Sequence, residues 1–185
     1  MTGVQTCALP IYPSETQAVV AHVLGISLNQ VVVQCARMGG GFGGKESQAN
    51  AWAAIAALGA AKTGRATFVR LDRDRHMTMT GKRHPFLARY RAAMGRDGQL
   101  RAFDVALYSD GGWSLDLSDA VTGRAMMHVD NAYFWPAMRV RGQVVRTDKV
   151  SQTEFRGFGG PQGVAVAEEV IDRLARAAGD RKSTR

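Results

Sequence analysis

Residues 86–94, Phe86-Leu87-Ala88-Arg89-Tyr90-Arg91-Ala92-Ala93-Met94, and residues 100–108, Leu100-Arg101-Ala102-Phe103-Asp104-Val105-Ala106-Leu107-Tyr108, flank Gly95-Arg96-Asp97-Gly98. Asp-Gly between two such runs predicts a β-hairpin. Working outward, residues 13–24 carry Ala18, Val19, His22, Val23 and Leu24 at helical spacing and close on Gly25. Val31-Val32-Val33 reads as a short buried strand. Residues 47–62 are so rich in alanine that helix is the only reading. Residues 66–71 return to a strand, and Asp72-Arg73-Asp74-Arg75 is a charged connection of about one helical turn. Beyond the hairpin, residues 118–129 predict a helix with Ser118 or Asp116 near its start, and residues 138–147 alternate as a half-exposed strand. Residues 161–178 predict a last helix with Pro161 in its first turn. A hairpin set among helices points to an α+β fold with mixed sheets rather than a regularly alternating chain.

The 185 residues hold 24 Lys and Arg against 16 Asp and Glu, a formal charge of +8. At this length a folded chain buries roughly 70% of the surface its unfolded form exposes, so no covalent staple is needed. Cys7 and Cys35 therefore need not form a disulfide. The longest apolar stretch, residues 51–61, is about half of what a membrane span requires. The basic residues are scattered over 65–101 and 139–146 rather than massed in one block, which argues against a nucleic-acid partner.

The tetrapeptide Gly-Phe-Gly-Gly occurs twice, at residues 41–44 and 157–160, each time ahead of a predicted helix. Glycine loops let a ligand approach the main chain closely, and a helix N-terminus offers unpaired N–H groups and partial positive charge. A charged residue stands beside each copy, Glu46 and Arg156. The pair reads as a ligand site rather than as two tight turns sharing a word. Gly39, Gly41 and Gly44 also fit the dinucleotide pattern, but Gly59-Ala60-Ala61-Lys62 stands where its acidic ribose partner belongs. Residues 39–45 fit the start of a phosphate-binding loop, yet Glu46 replaces the Ser or Thr that would hold magnesium. At 4 Å and an effective dielectric of about 20, that carboxylate would repel each unit of phosphate charge by roughly 4 kcal/mol. A carboxylate there suits a neutral ligand offering N–H or O–H donors, or one that must gain and lose a proton.

Three stretches together carry a resemblance. Arg37-Met38-Gly39-Gly40-Gly41-Phe42-Gly43-Gly44-Lys45-Glu46-Ser47, then Gly81-Lys82-Arg83-His84-Pro85-Phe86-Leu87-Ala88-Arg89-Tyr90, then Phe155-Arg156-Gly157-Phe158-Gly159-Gly160-Pro161-Gln162-Gly163 resemble the molybdopterin-binding domain of the xanthine dehydrogenases, in the xanthine oxidase family of molybdenum hydroxylases. The resemblance runs from Tyr12 to Gly179. It implies a cytoplasmic enzyme that oxidises hypoxanthine to xanthine and xanthine to urate with a molybdenum–molybdopterin cofactor. It further implies 2Fe-2S clusters and FAD on a partner subunit or domain, NAD as acceptor, and a dimer of the complete enzyme. Carried over by position, Gly41, Phe42 and Gly43 bind the cofactor, with the Phe42 backbone near the molybdenum. Glu46 contacts the purine, and Arg156 stabilises the charge that builds on it. Retention of both favours a purine over the aldehydes of aldehyde oxidase-like relatives; the reading from another class is a stand-alone nucleotide-binding module.

Departures from the family pattern also matter. Glu154 stands where a small residue is usual, which predicts a carboxylate close behind Arg156. Ile11-Tyr12-Pro13 replaces the family's Gln-His-Pro. Residues 1–11 and 180–185 resemble the translated strands of a sequencing adapter, so residues 12–179 are expected to be the natural segment, an internal piece of a longer gene with a charge of +6. The family's catalytic glutamate is expected beyond Gly179, and the 185-residue chain alone is expected to be inactive. His22, His84 and His128 lack metal-ligand spacing and read as structural, as do Cys35 and Trp52, Trp113 and Trp135; Tyr133-Phe134-Trp135 reads as a candidate partner-facing patch.

Overall fold

The computed structural model describes residues 4–6 and 12–179, and the chain divides into two compact units, residues 1–82 and 83–185. Residues 1–3, 7–11 and 180–185, most of the stretches that resemble adapter, lie outside the described residues.

In the first unit, strand β1 (Val4–Thr6) pairs in parallel with β2 (Thr67–Val69). Helices α1 (Pro13–Leu24) and α2 (Asn50–Thr63) pack together. Proline opens α1 and Gly25 closes it in the left-handed conformation, the asymmetry that the sequence signals. α1 buries Thr16, Val20 and Ala21, whereas Ala18, His22 and Val23 are exposed, so the face differs from the one expected. Polar pairing explains the shift: Thr16 Oγ1 donates to Asn50 Oδ1 at 2.6 Å, and Asn50 Nδ2 donates to Glu15 Oε1 at 3.0 Å. α2 buries Ala53, Ala54, Ala56, Ala57 and Ala60, small side chains that let α1 and the strands approach closely. It begins three residues later than expected, at Asn50.

Val31-Val32-Val33 forms no strand, and Val32 is 80% exposed. The β preference of valine depends on a partner strand and a face to bury. Here the Val31 carbonyl instead accepts from Gln17 Nε2 at 2.7 Å, and its side chain packs on Val20, Ala53 and Ala57. The charged connection at 72–75 opens a longer helix than expected, α3 (Arg73–Met79), because Asp72 caps it by accepting from the Arg75 N–H at 2.8 Å.

In the second unit the hairpin forms as predicted: β3 (Phe86–Met94) runs antiparallel to β4 (Leu100–Gly112) through a turn with Gly98 at φ 77°. β5 (Ala137–Arg146) joins the other side of β4 in parallel, by way of α4 (Ser118–Met127), so the sheet is mixed in the order β3-β4-β5. Helix α5 (Gly160–Ala177) packs on α4 and β3. Phe103, Val105 and Leu107 from β4 meet Ala125, Val129, Trp135, Val170 and Ile171 in the core. The Phe103 and Trp135 rings stack with centroids 4.8 Å apart. α4 starts at Ser118, as expected, with Leu117 as its N-cap and the Ser118 side chain buried. Helices with an antiparallel hairpin and two parallel strand pairs make the α+β arrangement that the sequence predicts. Among the described residues no helix is long and apolar enough to cross a membrane.

Candidate functional site

The first glycine loop belongs to the first unit. Phe42 holds φ 52° and Gly43 φ 94°, with Gly40 at φ 126°. A non-glycine residue in that region costs about 1–3 kcal/mol and persists where its surroundings impose it. The loop is closed from within: Lys45 Nζ donates to the Gly40 carbonyl at 2.9 Å, and the Lys45 amide donates to the Gly43 carbonyl. A Cβ added at Gly39 or Gly44 would meet nothing within 4 Å, so the main chain there is open to an approaching group. The Phe42 ring is 62% exposed, and Glu46 is half-buried one residue beyond Lys45. Gln48 Oε1 accepts from the Gly81 N–H at 2.7 Å, which ties the end of the loop to the chain leaving α3. There Lys82 Nζ donates to the Thr80 carbonyl at 2.6 Å; burial, aided by the charge of Arg73, holds this ammonium below its usual pKa.

The second loop belongs to the second unit and repeats the twist. Gly157, Phe158 and Gly159 hold φ 99°, 51° and 92°. Here the loop runs straight into α5, with Gly159 as its N-cap. A Cβ on Gly159 would run into the Val121 carbonyl, and one on Gly163 into the Ala125 carbonyl, so α5 starts hard against α4. The approach to the loop is fixed as well: the Gln152 N–H donates to the Gly111 carbonyl at 3.0 Å, and Ser114 Oγ donates to Ser151 Oγ at 2.9 Å. Lys149 Nζ and Thr147 Oγ1 both reach the Asp110 carboxylate at 2.7 Å.

Glu154 is buried, with Oε2 accepting from Thr153 Oγ1 at 2.8 Å, while the Arg156 side chain is exposed. Arg83 Nη2 donates to the Arg156 carbonyl at 2.8 Å, and the Arg83 guanidinium lies 4.8 Å from the Phe155 ring centroid. His84 is 2% exposed, with Nε2 2.7 Å from Ser118 Oγ. Burial pushes the His84 imidazole below its ordinary pKa, against the opposing charges of Asp116 and Asp110 and a backbone hydrogen bond with Thr153.

Of the residues the motifs single out, Gly41, Phe42, Gly43 and Glu46 share the first loop and its exit, and Arg156 stands on the second. Arg83 and His84 come from the second motif stretch, and His84 is structural as its lack of metal-ligand spacing implies: Arg83 Nη2 reaches the Arg156 carbonyl and His84 Nε2 reaches Ser118 Oγ. Arg124, exposed on α4, precedes Ala125, whose amide lies against Gly159. Trp135 packs in the core as expected, whereas Trp113, expected to pack, is 63% exposed; Tyr133 Oη donates to Glu168 Oε1 at 2.7 Å, leaving Phe134 as the exposed member of its triplet.

The first loop, turned through a left-handed Phe-Gly step with open main chain beside it, is suited to bring main chain against a polar ligand. The chain belongs to the molybdopterin cofactor-binding domain family, whose model it matches over residues 5–182. It is 47% identical over 168 residues to the xanthine dehydrogenase of Drosophila subobscura, covering 91% of this chain and 12% of that protein. With the xanthine dehydrogenase/oxidase of Gallus gallus it shares 45% identity over 165 residues, 89% of this chain and 12% of that one. Among solved structures, the aldehyde oxidoreductase from Desulfovibrio gigas superposes with a TM-score of 0.79 at 29% identity, covering 94% of this chain and 19% of that one. The chain thus spans 12% of the length of these xanthine dehydrogenases.

The residues present fit the cofactor of this family. The main chain at Gly39 and Gly44 is unobstructed. Beside the second loop, Arg83 Nη1 and Gln162 Oε1 are buried with no hydrogen-bond partner among the described residues. Buried polar atoms left unmet cost about 1–3 kcal/mol each, so a polar group that meets them is favoured.

Proposed function

We propose that this chain forms part of the molybdenum site of an enzyme that oxidises hypoxanthine to xanthine and xanthine to urate. One observation carries the reading: a carboxylate, Glu46, directly follows the open glycine loop in a chain 47% identical over 168 residues to a protein named xanthine dehydrogenase. The bound molybdenum cofactor supplies the oxygen-transfer and two-electron chemistry. Gly41, Phe42 and Gly43 would hold it through main-chain groups, the left-handed Phe42-Gly43 step turning the peptide planes beside the unobstructed main chain at Gly39 and Gly44. Glu46 accepts from a purine ring N–H and so fixes which ring carbon faces the cofactor. Negative charge builds on the heterocycle during oxidation, and a guanidinium donating to a ring oxygen stabilises it. Arg156 is the guanidinium the motif selects, and Arg124 is the second candidate, because its neighbour Ala125 has its amide against Gly159 of the same loop. The complete enzyme would be a dimer whose partner subunit or domain carries 2Fe-2S clusters and FAD, with NAD as the acceptor.

The test uses the full-length protein carrying this segment. Glu46→Val, Arg156→Met and Arg124→Met are assayed with hypoxanthine and with an aromatic aldehyde. Glu46→Val and at least one of the arginine variants are expected to lose about a hundredfold or more in kcat/KM for the purine, the usual loss when one preorganised transition-state donor is removed. Aldehyde turnover should persist, and the arginine with the larger loss is the substrate contact. A wild-type enzyme that oxidises the aldehyde and leaves hypoxanthine untouched overturns the purine reading. The 185-residue chain alone should reduce no dye with xanthine; micromolar binding of ATP or NAD to it would favour a nucleotide-binding module instead.

A further inference from the structure

We propose that Arg83 is a positioning residue that clamps the Phe155–Arg156 segment and so sets the second glycine loop in place. The proposal rests on the assignment of that loop to the active site. Its geometry is independent of that assignment. Arg83 reaches the segment twice, by the 2.8 Å hydrogen bond from Nη2 to the Arg156 carbonyl and by the guanidinium 4.8 Å from the Phe155 ring centroid. Its own backbone is anchored, because the next residue, His84, is buried and 2.7 Å from Ser118 Oγ at the start of α4, and β3 begins two residues later. A fixed base and a planar head with two contacts make a clamp, and lysine lacks both the plane and the fork. The clamped segment needs one. Gly157, Phe158 and Gly159 all sit at positive φ, a strained stretch held on its far side by α5 packed on α4. On its near side, Arg83 fixes the carbonyl of the residue just before that stretch. Arg83 is thereby assigned a role through the main chain of Arg156 and not through substrate.

The experiment compares Arg83→Met, Arg83→Lys and Phe155→Leu in the full-length, cofactor-loaded protein. Amide hydrogen exchange is followed by mass spectrometry in the peptide covering residues 152–160, with the 86–108 hairpin as internal control. Because hydrogen bonds to charged groups contribute more than neutral ones, Arg83→Met should speed exchange at Phe158 and Gly160 about tenfold with the hairpin unchanged. Arg83→Lys should fail to restore protection, and Phe155→Leu, which keeps the donor and removes the ring, should give a smaller increase. Kinetically, loss of the clamp should raise KM for the purine more than it lowers kcat, since the loop is displaced and not deleted. If the 152–160 peptide exchanges as in wild type in both Arg83 variants, the clamp is wrong, whatever Arg156→Met does to turnover. If exchange rises while purine and aldehyde kinetics are unchanged, the clamp stands and the assignment of the loop to the active site falls. If Arg83→Met loosens the hairpin as much as the loop, Arg83 is a general stabiliser and the proposal fails; Phe155→Leu decides the same point without touching the arginine.

Discussion

The two Gly-Phe-Gly-Gly loops share a word and a twist but not an environment. Phe42 and Phe158 differ by one degree in φ, 52° against 51°, and the glycines after them by two, 94° against 92°. The shared conformation follows from the shared local sequence. What surrounds it does not: the second loop ends as the N-cap of α5, which is pressed on α4, whereas the first runs on to Asn50 before its helix starts and is closed by its own Lys45. Identical tetrapeptides thus give one loop built into a helix junction and one presented on an open face. The first is suited to meet a ligand through its main chain, the second to hold side chains such as Arg156 on a rigid base.

The contrast is broken most directly at Gly159. An alanine there combines a left-handed φ of 92° with a Cβ driven into the Val121 carbonyl. Together, backbone strain and overpacking against main chain should destabilise by about 3 kcal/mol. Urea unfolding followed by the fluorescence of Trp135, which is buried on Phe103, reads this as a lowered midpoint. A Gly159→Ala chain that unfolds like wild type means that α5 is not locked on α4. The next effect concerns pH. Burial lowers the His84 pKa in the folded state, so between that value and the unfolded value near 6.5 the unfolded chain binds more protons. The contribution of the neutral imidazole is fully present above the unfolded pKa and is lost as pH falls toward the folded one. Wild-type stability should therefore drop as pH is lowered below about 6.5, and the drop should shrink in His84→Gln. An unchanged slope in that variant would remove His84 from the support of the second loop.

Legibility in the sequence followed locality. The hairpin at 86–108 was readable because its turn and its alternation sit side by side, and α5 because proline and glycine mark its start. Val31-Val32-Val33 misled because a strand needs a partner that no short window contains, and the partner is absent among the described residues. The face of α1 was misread because Thr16 is drawn inward by Asn50, 34 residues away. At the site, the glycine loops and Glu46 were legible as motif and the support of the second loop was not. Arg83 and His84 act across 73 and 34 residues, on the Arg156 carbonyl and on Ser118, and neither contact leaves a periodic trace.

The smallest expected effect is also the sharpest test of the contrast. Gly44 lies outside the left-handed region, and a Cβ there would meet nothing within 4 Å. Alanine at this position removes freedom from the unfolded chain at no cost in contacts, so Gly44→Ala should be neutral or more stable by about 0.5 kcal/mol. A loss as large as that at Gly159 would mean the first loop is as tightly enclosed as the second, and the contrast would fail. The open space matters for a different reason once ligand is present. If the main chain at Gly44 is open because a cofactor approaches it, the added methyl that is silent in unfolding should lower the molybdenum content of the full-length protein. The same methyl would then be harmless to the fold and harmful to the site. Silence in both measurements would make the opening ordinary solvent-facing surface, and the ligand would have to be sought on the second loop.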